Sequence, residues 1–222
     1  MKNLKIVLIA ISGCLLTVSC GNNNGKIGKV SDMEGNTYST VIIGTQEWMS
    51  ENLRSAKYND GSPILNITAD SLWAGSKEGA YAWFNNDVSG DKAKYGAYYN
   101  WQAVASGKLC PAGWHVPSDK EWRTLTTYLG GETIAGNELK SQSGWKSNGN
   151  GSNSSGFNAV PYGYRNTKGS FTSQGASSYF WSSTENNANA WYSVMFNKDG
   201  TAFKYFGPKQ SGFSVRCVKD DK

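Results

Sequence analysis

The stretch CPAGWHVPSDKEWRTLTTYLGG, residues 110–131, decides the fold because it holds one sharply delimited helix. Ser118 is followed three residues later by Glu121, and this pair is the capping box of a helix N-terminus. Two glycines at 130–131 supply the C-cap. The apolar side chains that share one face of the predicted helix are Trp122, Leu125 and Leu129. The residues before the cap, Trp114 and His115, are predicted to anchor the helix in the core, with His115 as a structural histidine.

Short strands are predicted on both sides of this helix. Thr37–Ile43 is rich in β-branched residues, residues 191–196 alternate between apolar and polar, and Asp199-Gly200 is a hairpin turn. Further strand candidates are residues 157–164, 179–181, 202–206 and 213–218. Weaker helices are expected within residues 98–107 and 134–140. The predicted fold class is α+β, with a twisted, mostly antiparallel sheet, one or two helices and long loops.

Composition excludes several classes of protein. The chain has 222 residues, of which 38% are hydrophobic, 13% aromatic and 18% charged, and its mean hydropathy is -0.52. So many aromatic residues exclude a disordered chain, and 26 glycines exclude a long coiled coil. The net charge of +5 comes from scattered residues, so no basic stripe for nucleic acid is present and no nucleic-acid partner is expected.

The first residues have the pattern of an export signal. Lys2 and Lys5 precede an apolar run that is shorter than the roughly 20 residues of a membrane span. The run ends at Ser19-Cys20, which predicts a lipoprotein signal over residues 1–19 and lipidation of Cys20. An ordinary cleaved signal or a short anchor are the alternatives, and Cys14 is a second candidate acceptor. Residues 20–29 are then a polar tether, and 30–219 a single domain.

Two cysteines follow the signal, Cys110 and Cys217. In an oxidising compartment such an even pair predicts one disulfide. Two free thiols acting as small hydrophobic groups are the alternative. A zinc site would need three or four ligands, and a thiol nucleophile a histidine base, whereas His115 is the one histidine of the chain. No metal site is therefore predicted from these residues.

Five motifs in chain order resemble the Fibrobacter succinogenes major paralogous domain, and together they span about residues 30 to 219. They are DMEGN (32–36) with IGTQEWMSENL (43–53), YG (95–96) with YNW (99–101), CPAGWHVP (110–117), WSSTE (181–185) and SVRCV (214–218). The resemblance implies an exported lipoprotein of a Bacteroidetes-type bacterium. No biochemical activity is established for this family, so the resemblance implies none.

A more remote similarity concerns fold. GWHVPSDKEW (113–122) and GFSVR (212–216) are similar to segments of the formylglycine-generating enzymes. This similarity implies a C-type-lectin-like fold for the domain. The paired catalytic cysteines of those enzymes are not matched by Cys110 and Cys217, so oxidase activity is not expected to accompany the fold.

Two groups of residues are candidates for ligand contact. The segment 182–187 is predicted to be a loop at the end of the sheet, where Glu185 and Asn186 would bind sugar hydroxyls or Ca²⁺. The alternative is that Glu185 accepts hydrogen bonds within the loop. A second group is predicted to form an exposed aromatic face that stacks on sugars, although core positions are the alternative. Its members are Tyr162, Tyr164, Arg165, Trp181 and Trp191.

The sequence therefore predicts a non-enzymatic binding or adhesion module that is lipid-anchored in the cell envelope. The outer membrane is the expected site of anchorage. Its expected partner is a glycan or a surface protein, and no cofactor is expected apart from Ca²⁺. One alternative is a structural envelope component without a small ligand. The other is a hydrolase or oxidase, for which the candidate carboxylate pairs are Glu185 with Asp199 and Glu132 with Glu138.

Overall fold

The computed structural model describes residue 25, residues 27–87 and residues 95–221. The predicted signal, the tether up to residue 24 and the candidate lipidation sites Cys14 and Cys20 lie outside these residues. The helices are α1 (Asp70–Gly75), α2 (Trp101–Ala105), α3 (Asp119–Tyr128) and α4 (Glu132–Leu139). The strands are β1 (Ile27–Ser31), β2 (Thr37–Ile43), β3 (Gln46–Met49), β4 (Leu65–Asn66), β5 (Ala80–Trp83), β6 (Ala97–Tyr99), β7 (Trp114–His115), β8 (Tyr164–Arg165), β9 (Phe171–Thr172), β10 (Ser177–Asn186), β11 (Asn189–Phe196), β12 (Ala202–Pro208) and β13 (Val218–Lys219).

The largest sheet joins both ends of the described chain. Its strand order is β1-β2-β3-β13-β7, and every neighbouring pair is antiparallel. Val218 in β13 lies opposite Trp48 of β3 on one side and His115 of β7 on the other. The last strand in chain order therefore sits in the interior of this sheet.

Helix α3 forms as its sequence predicts. The Ser118 side chain accepts a hydrogen bond from the Glu121 backbone N–H, and the Glu121 carboxylate accepts one from the Ser118 N–H at 2.7 Å. Gly130 has φ +90, a left-handed conformation that glycine adopts without strain. The apolar face packs into a core cluster with Trp48, Phe157 and Phe180. The predicted capping box and apolar stripe are confirmed.

Strands β10, β11 and β12 form a separate three-stranded antiparallel sheet. Since successive side chains in a strand point to opposite faces, the sheet has two distinct surfaces. One face carries Phe180, Met195 and Ala202 into the core cluster beneath α3 and α4. The other face carries a set of aromatic side chains that form the candidate site below.

The predicted disulfide is confirmed, since Cys110 and Cys217 are bonded. Both lie in the second large core cluster, which also contains Trp181, Phe213 and Tyr99. The bond fastens the segment before α3 to the strand that closes the chain. Among the described residues most strand pairs are antiparallel, β4 and β5 form a parallel pair, and the four short α-helices named above accompany them. The α+β class is therefore confirmed, with more helices than the expected one or two.

Several expected boundaries differ from the structure: the strand expected over residues 213–218 is present only as β13, and the helix expected within 98–107 begins at Trp101. Three further differences concern β1, residues 157–164 and β10. Strand β1 starts at Ile27, three residues inside the predicted tether, because Ile27 pairs with Val41. Residues 157–164 do not form the expected strand. Pro161 lacks an N–H to donate, and Asn158 and Gly163 have positive φ of 57 and 67, so the backbone reverses instead of extending.

The third difference concerns residues 182–186, which were expected to form a loop. They continue β10, and Glu185 pairs with Ala190 across a two-residue hairpin turn. A bulge between Trp181 and Glu185 lets the strand continue past the aromatic segment.

In the described residues no helix has both the length and the hydropathy that crossing a bilayer requires.

Candidate functional site

The candidate site is the surface of the β10–β12 sheet that faces away from α3, together with the adjoining ring of Tyr164 in β8. We call it the tyrosine face and define it as Tyr164, Tyr179, Tyr192, Phe196, Phe203 and Tyr205. Tyr205 is 46% exposed, and the other rings are half-buried. They cover a surface that is apolar across its middle and carries phenol groups.

Strand register places these rings side by side. Tyr192 lies opposite Tyr205 on β12, and Tyr179 lies opposite Val194, which in turn faces Phe203. Ring centroids are 4.5 Å apart for Tyr164 and Tyr179, 5.7 Å for Tyr179 and Tyr192, and 6.3 Å for Tyr192 and Tyr205. The four tyrosines therefore form a row that crosses the strands, with each ring in contact with the next.

The row rests on one buried ring, Phe213, which is 3% exposed. Its centroid lies 5.7 Å from Tyr164, 5.0 Å from Tyr179 and 4.8 Å from Tyr192. Because three rings share this support, their orientations are fixed before any ligand arrives. A surface held in this way loses little conformational entropy on binding.

Three hydroxyl groups of this face have no partner among the described residues, in contrast to those of the core tyrosines. Tyr38, Tyr98 and Tyr99 each donate to a protein oxygen, at 2.7, 2.5 and 2.7 Å. Within the described residues no hydrogen-bond partner is present for the hydroxyls of Tyr164 and Tyr205, nor for that of Tyr192. These groups can each donate one hydrogen bond and accept others.

Burial and neighbouring phenols keep the face uncharged. Desolvation, together with the nearby Tyr164, Tyr192 and Tyr205, raises the pKa of Tyr179 to about 12. Desolvation also raises the pKa of Tyr192, and Tyr164 and Tyr205 add to that shift. Both phenols therefore stay protonated at neutral pH.

Two residues predicted for an exposed aromatic face are instead buried, which corrects that expectation. Trp181 is 0% exposed, and its Nε1 donates to the Tyr99 carbonyl at 2.7 Å. Arg165 is also 0% exposed, and its guanidinium donates to the carbonyls of Thr68 and Gly169. Trp181 fills the core from the strand centre, while Arg165 holds two loops together, so neither can contact a ligand at the surface.

The acidic segment lies at the edge of the tyrosine face. Glu185 is opposite Ala190, whose side chain points to the same face as Tyr192, so Glu185 belongs to that face near the hairpin turn. Its carboxylate is ion-paired with Lys209 at 2.9 Å, and its side chain is 61% exposed. Asn186 lies opposite Asn189 beside the turn. Both residues are available for contact with a ligand that extends beyond the row.

The remaining predicted residues are divided between two places. Trp191 lies on the opposite face of β11, where Lys204 Nζ is 4.0 Å from its ring centroid and Phe206 packs against it at 5.2 Å. Tyr162 is half-buried and packs edge-on against Tyr95 at 4.1 Å. Of the five aromatic-face candidates, the structure therefore places Tyr164 alone in the tyrosine face.

The proposed hydrolytic carboxylate pairs are not brought together. Glu185 is near the β10–β11 turn and Asp199 lies in the β11–β12 turn, at opposite ends of β11. Eight residues of strand separate these ends, which is about 25 Å. Glu132 and Glu138 are six residues apart on α4 and so do not share a helix face. Among the described residues, no group of three or more His, Cys, Asp or Glu is arranged to hold a metal ion.

Comparison with models of protein families assigns the chain to one family. The model described as the Fibrobacter succinogenes major domain matches residues 41–219, which include both large sheets' core strands, α3 and the disulfide. The chain belongs to this family. No curated protein and no solved structure matches it.

Within the Fibrobacter succinogenes major domain, the single histidine is structural, as its position before the helix cap predicts. His115 Nδ1 lies 2.6 Å from Asp220 Oδ1, and Nε2 lies 2.7 Å from Glu121 Oε1. Burial lowers the pKa of His115, but the hydrogen bonds to Asp220 and Glu121 outweigh it and leave the pKa raised. The His115 ring therefore joins β7, the start of α3 and the residues after β13.

Sequence reasoning missed most of the tyrosine face of this domain. The alternation of Tyr192, Val194 and Phe196 gave one strand of it, and Tyr205 follows the same period in the next strand. Tyr179 precedes Trp181 by two residues and so shares its face. The signal was present in the period of two, but the pairing of the strands was needed to place the rings side by side.

Proposed function

We propose that this protein is an exported, lipid-anchored binding module of the bacterial cell envelope, and that the tyrosine face binds a carbohydrate. The observation that carries the proposal is the row of half-exposed rings with free hydroxyls. Apolar ring surfaces can pack on the C–H faces of sugars, while phenols exchange hydrogen bonds with sugar hydroxyls. Anchorage by Cys20 in the outer membrane would place such a module where it can hold a glycan at the envelope.

A C-type-lectin-like topology is part of the proposal. It is supported by the similarity of residues 113–122 and 212–216 to the formylglycine-generating enzymes, and by the α+β class of the domain. Residues 212–216 include Phe213, which supports the tyrosine row. We favour a binding function over a hydrolytic one, because the two carboxylates of neither proposed pair lie close together.

Carbohydrate binding is tested on a glycan array with the full chain and its Tyr205→Ala variant. We expect the wild type to bind one or more glycans and the variant to bind them at least tenfold more weakly, because the row loses one aromatic ring and its hydroxyl. Phe206→Ala is the matched control, since Phe206 is 52% exposed on the other face of the same strand. Equal binding by the wild type and Tyr205→Ala would contradict the proposed site.

Lipid anchorage is tested by metabolic labelling with a palmitate analogue. We expect the wild type to be labelled and Cys20→Ala to remain unlabelled, because an apolar run ending in Ser19-Cys20 precedes the acceptor. Cys14→Ala serves as the control and should label like the wild type. Label that persists in Cys20→Ala and disappears in Cys14→Ala would assign the acceptor to Cys14 instead.

A further inference from the structure

Resting on the proposed function, we propose that the ligand of the tyrosine face is a neutral oligosaccharide, bound across the three strands of the β10–β12 sheet. The direction follows from the row of Tyr164, Tyr179, Tyr192 and Tyr205, whose rings are successive neighbours from one strand to the next. A chain of sugars laid along this row meets an aromatic ring at each step.

The charge distribution selects a neutral ligand. The positions of the three strands that point to this face between the bulge and the far end are Ser177, Tyr179, Trp181, Tyr192, Val194, Phe196, Phe203 and Tyr205, all uncharged. In the described residues no Lys or Arg lies over any ring of the tyrosine face, whereas Lys204 lies over Trp191 on the opposite face. The carboxylate of Glu185, at the rim, already pairs with Lys209.

Binding of an acidic polysaccharide to such a surface would carry an uncompensated desolvation cost. A carboxylate or sulfate moved from water onto half-buried rings is desolvated, and this face offers no cation in compensation. At one end of the row, Lys209 is already neutralised by its ion pair with Glu185, so it is not free to compensate an acidic sugar either. A neutral chain meets no such cost, because its hydroxyls are satisfied by the free hydroxyls of Tyr164, Tyr192 and Tyr205.

A peptide fits this surface less well than a sugar chain. Extended peptides gain affinity by pairing their backbone with a strand edge. The tyrosine face is the broad surface of the sheet, where the backbone amides of β11 already pair with β10 and β12. The groups exposed here are ring edges and phenols, which suit sugar hydroxyls and C–H groups.

Affinity electrophoresis of the full chain separates these possibilities. Gels are cast with neutral polysaccharides, namely hydroxyethyl cellulose, xylan and mannan, and with carboxymethyl cellulose as the charged counterpart of the first. We expect retardation by at least one neutral polymer, and at least tenfold weaker binding to its carboxymethylated form at low salt. We also expect Tyr205→Ala to lose at least tenfold and Tyr205→Phe to lose less, because the latter keeps the ring and removes the hydroxyl.

The experiment distinguishes failure of the neutral-ligand proposal from failure of carbohydrate binding itself. Phe206→Ala should migrate like the wild type in every gel, since Phe206 points to the opposite face. Stronger binding to carboxymethyl cellulose than to the neutral polymers, with Tyr205→Ala defective, overturns neutrality and leaves the carbohydrate-binding function standing. Absence of retardation in all gels, or retardation that Tyr205→Ala leaves unchanged, overturns the carbohydrate function of this face. Circular dichroism of each variant confirms that a lost interaction is not a lost fold.

Discussion

The double substitution Cys110→Ala with Cys217→Ala is expected to lower the free energy of unfolding by about 3–5 kcal/mol. The bond closes a loop between residues 107 positions apart, and cross-links over long loops restrict the unfolded chain most strongly. Both cysteines are buried in the core cluster of Trp181 and Phe213, so the native packing also loses two buried sulfur atoms. Urea unfolding of the variant and the oxidised wild type measures the difference.

Reduction provides an internal control for this experiment. Wild-type protein unfolded in a reductant should show the same loss as the double variant to within about 1 kcal/mol, because both lack the same cross-link. Reductant should leave the double variant unchanged. A loss below about 1 kcal/mol in both comparisons would show that the disulfide contributes little to the stability of this domain.

Arg216→Met is expected to destabilise the fold by about 3 kcal/mol or more. Arg216 is 1% exposed, and its Nε donates to Asn52 Oδ1 at 2.7 Å. Nη1 donates to the carbonyls of Met49 and Phe157, and Nη2 to the carbonyl of Asn158 at 3.0 Å. Methionine fills a similar volume, but it leaves four oxygens, three of them on buried residues, without these donors, so thermal unfolding should occur many degrees lower.

Two further variants separate this effect from simple loss of charge. Arg216→Lys keeps the charge and is expected to recover little stability, because a single ammonium on a flexible stem cannot bond at once to the oxygens of residues 49–52 and of residues 157–158. Arg123→Met removes an exposed arginine whose ion pair with Asp119 spans one helical turn, and it should cost less than about 1 kcal/mol. Similar melting of Arg216→Met and the wild type would contradict the role of the guanidinium as a cross-link.

The parts of the fold that follow local rules were predictable from the sequence. Helix α3 is specified by its own capping box and by an apolar stripe with a period of 3.6, both of which act within a single element. The disulfide followed from the number of cysteines after the signal. The shared side of Tyr192, Val194 and Phe196 also followed from the period of two along β11.

Features that depend on pairing between distant segments were not predictable. The bulge between Trp181 and Glu185 shifts the register of β10 by two residues, and no local signal in the sequence marks it. The shift keeps each side chain on its face but changes its neighbour. Trp181 and Arg165 were misplaced for a related reason, because burial of a large or charged residue depends on partners such as Tyr99 and Thr68 from far along the chain.

The position of β13 also determines when this protein can complete its fold. Val218 pairs with Trp48 across about 170 residues of chain, so the largest sheet cannot close until nearly the whole chain is available. Until then β3 is a sheet edge, and the side chain of Trp48 lacks the strand that later pairs beside it. A chain that folds progressively from its N-terminal end therefore carries an open edge until its last strand arrives. Chaperones that shield such edges are expected to act on β3, and release from them should coincide with the arrival of β13.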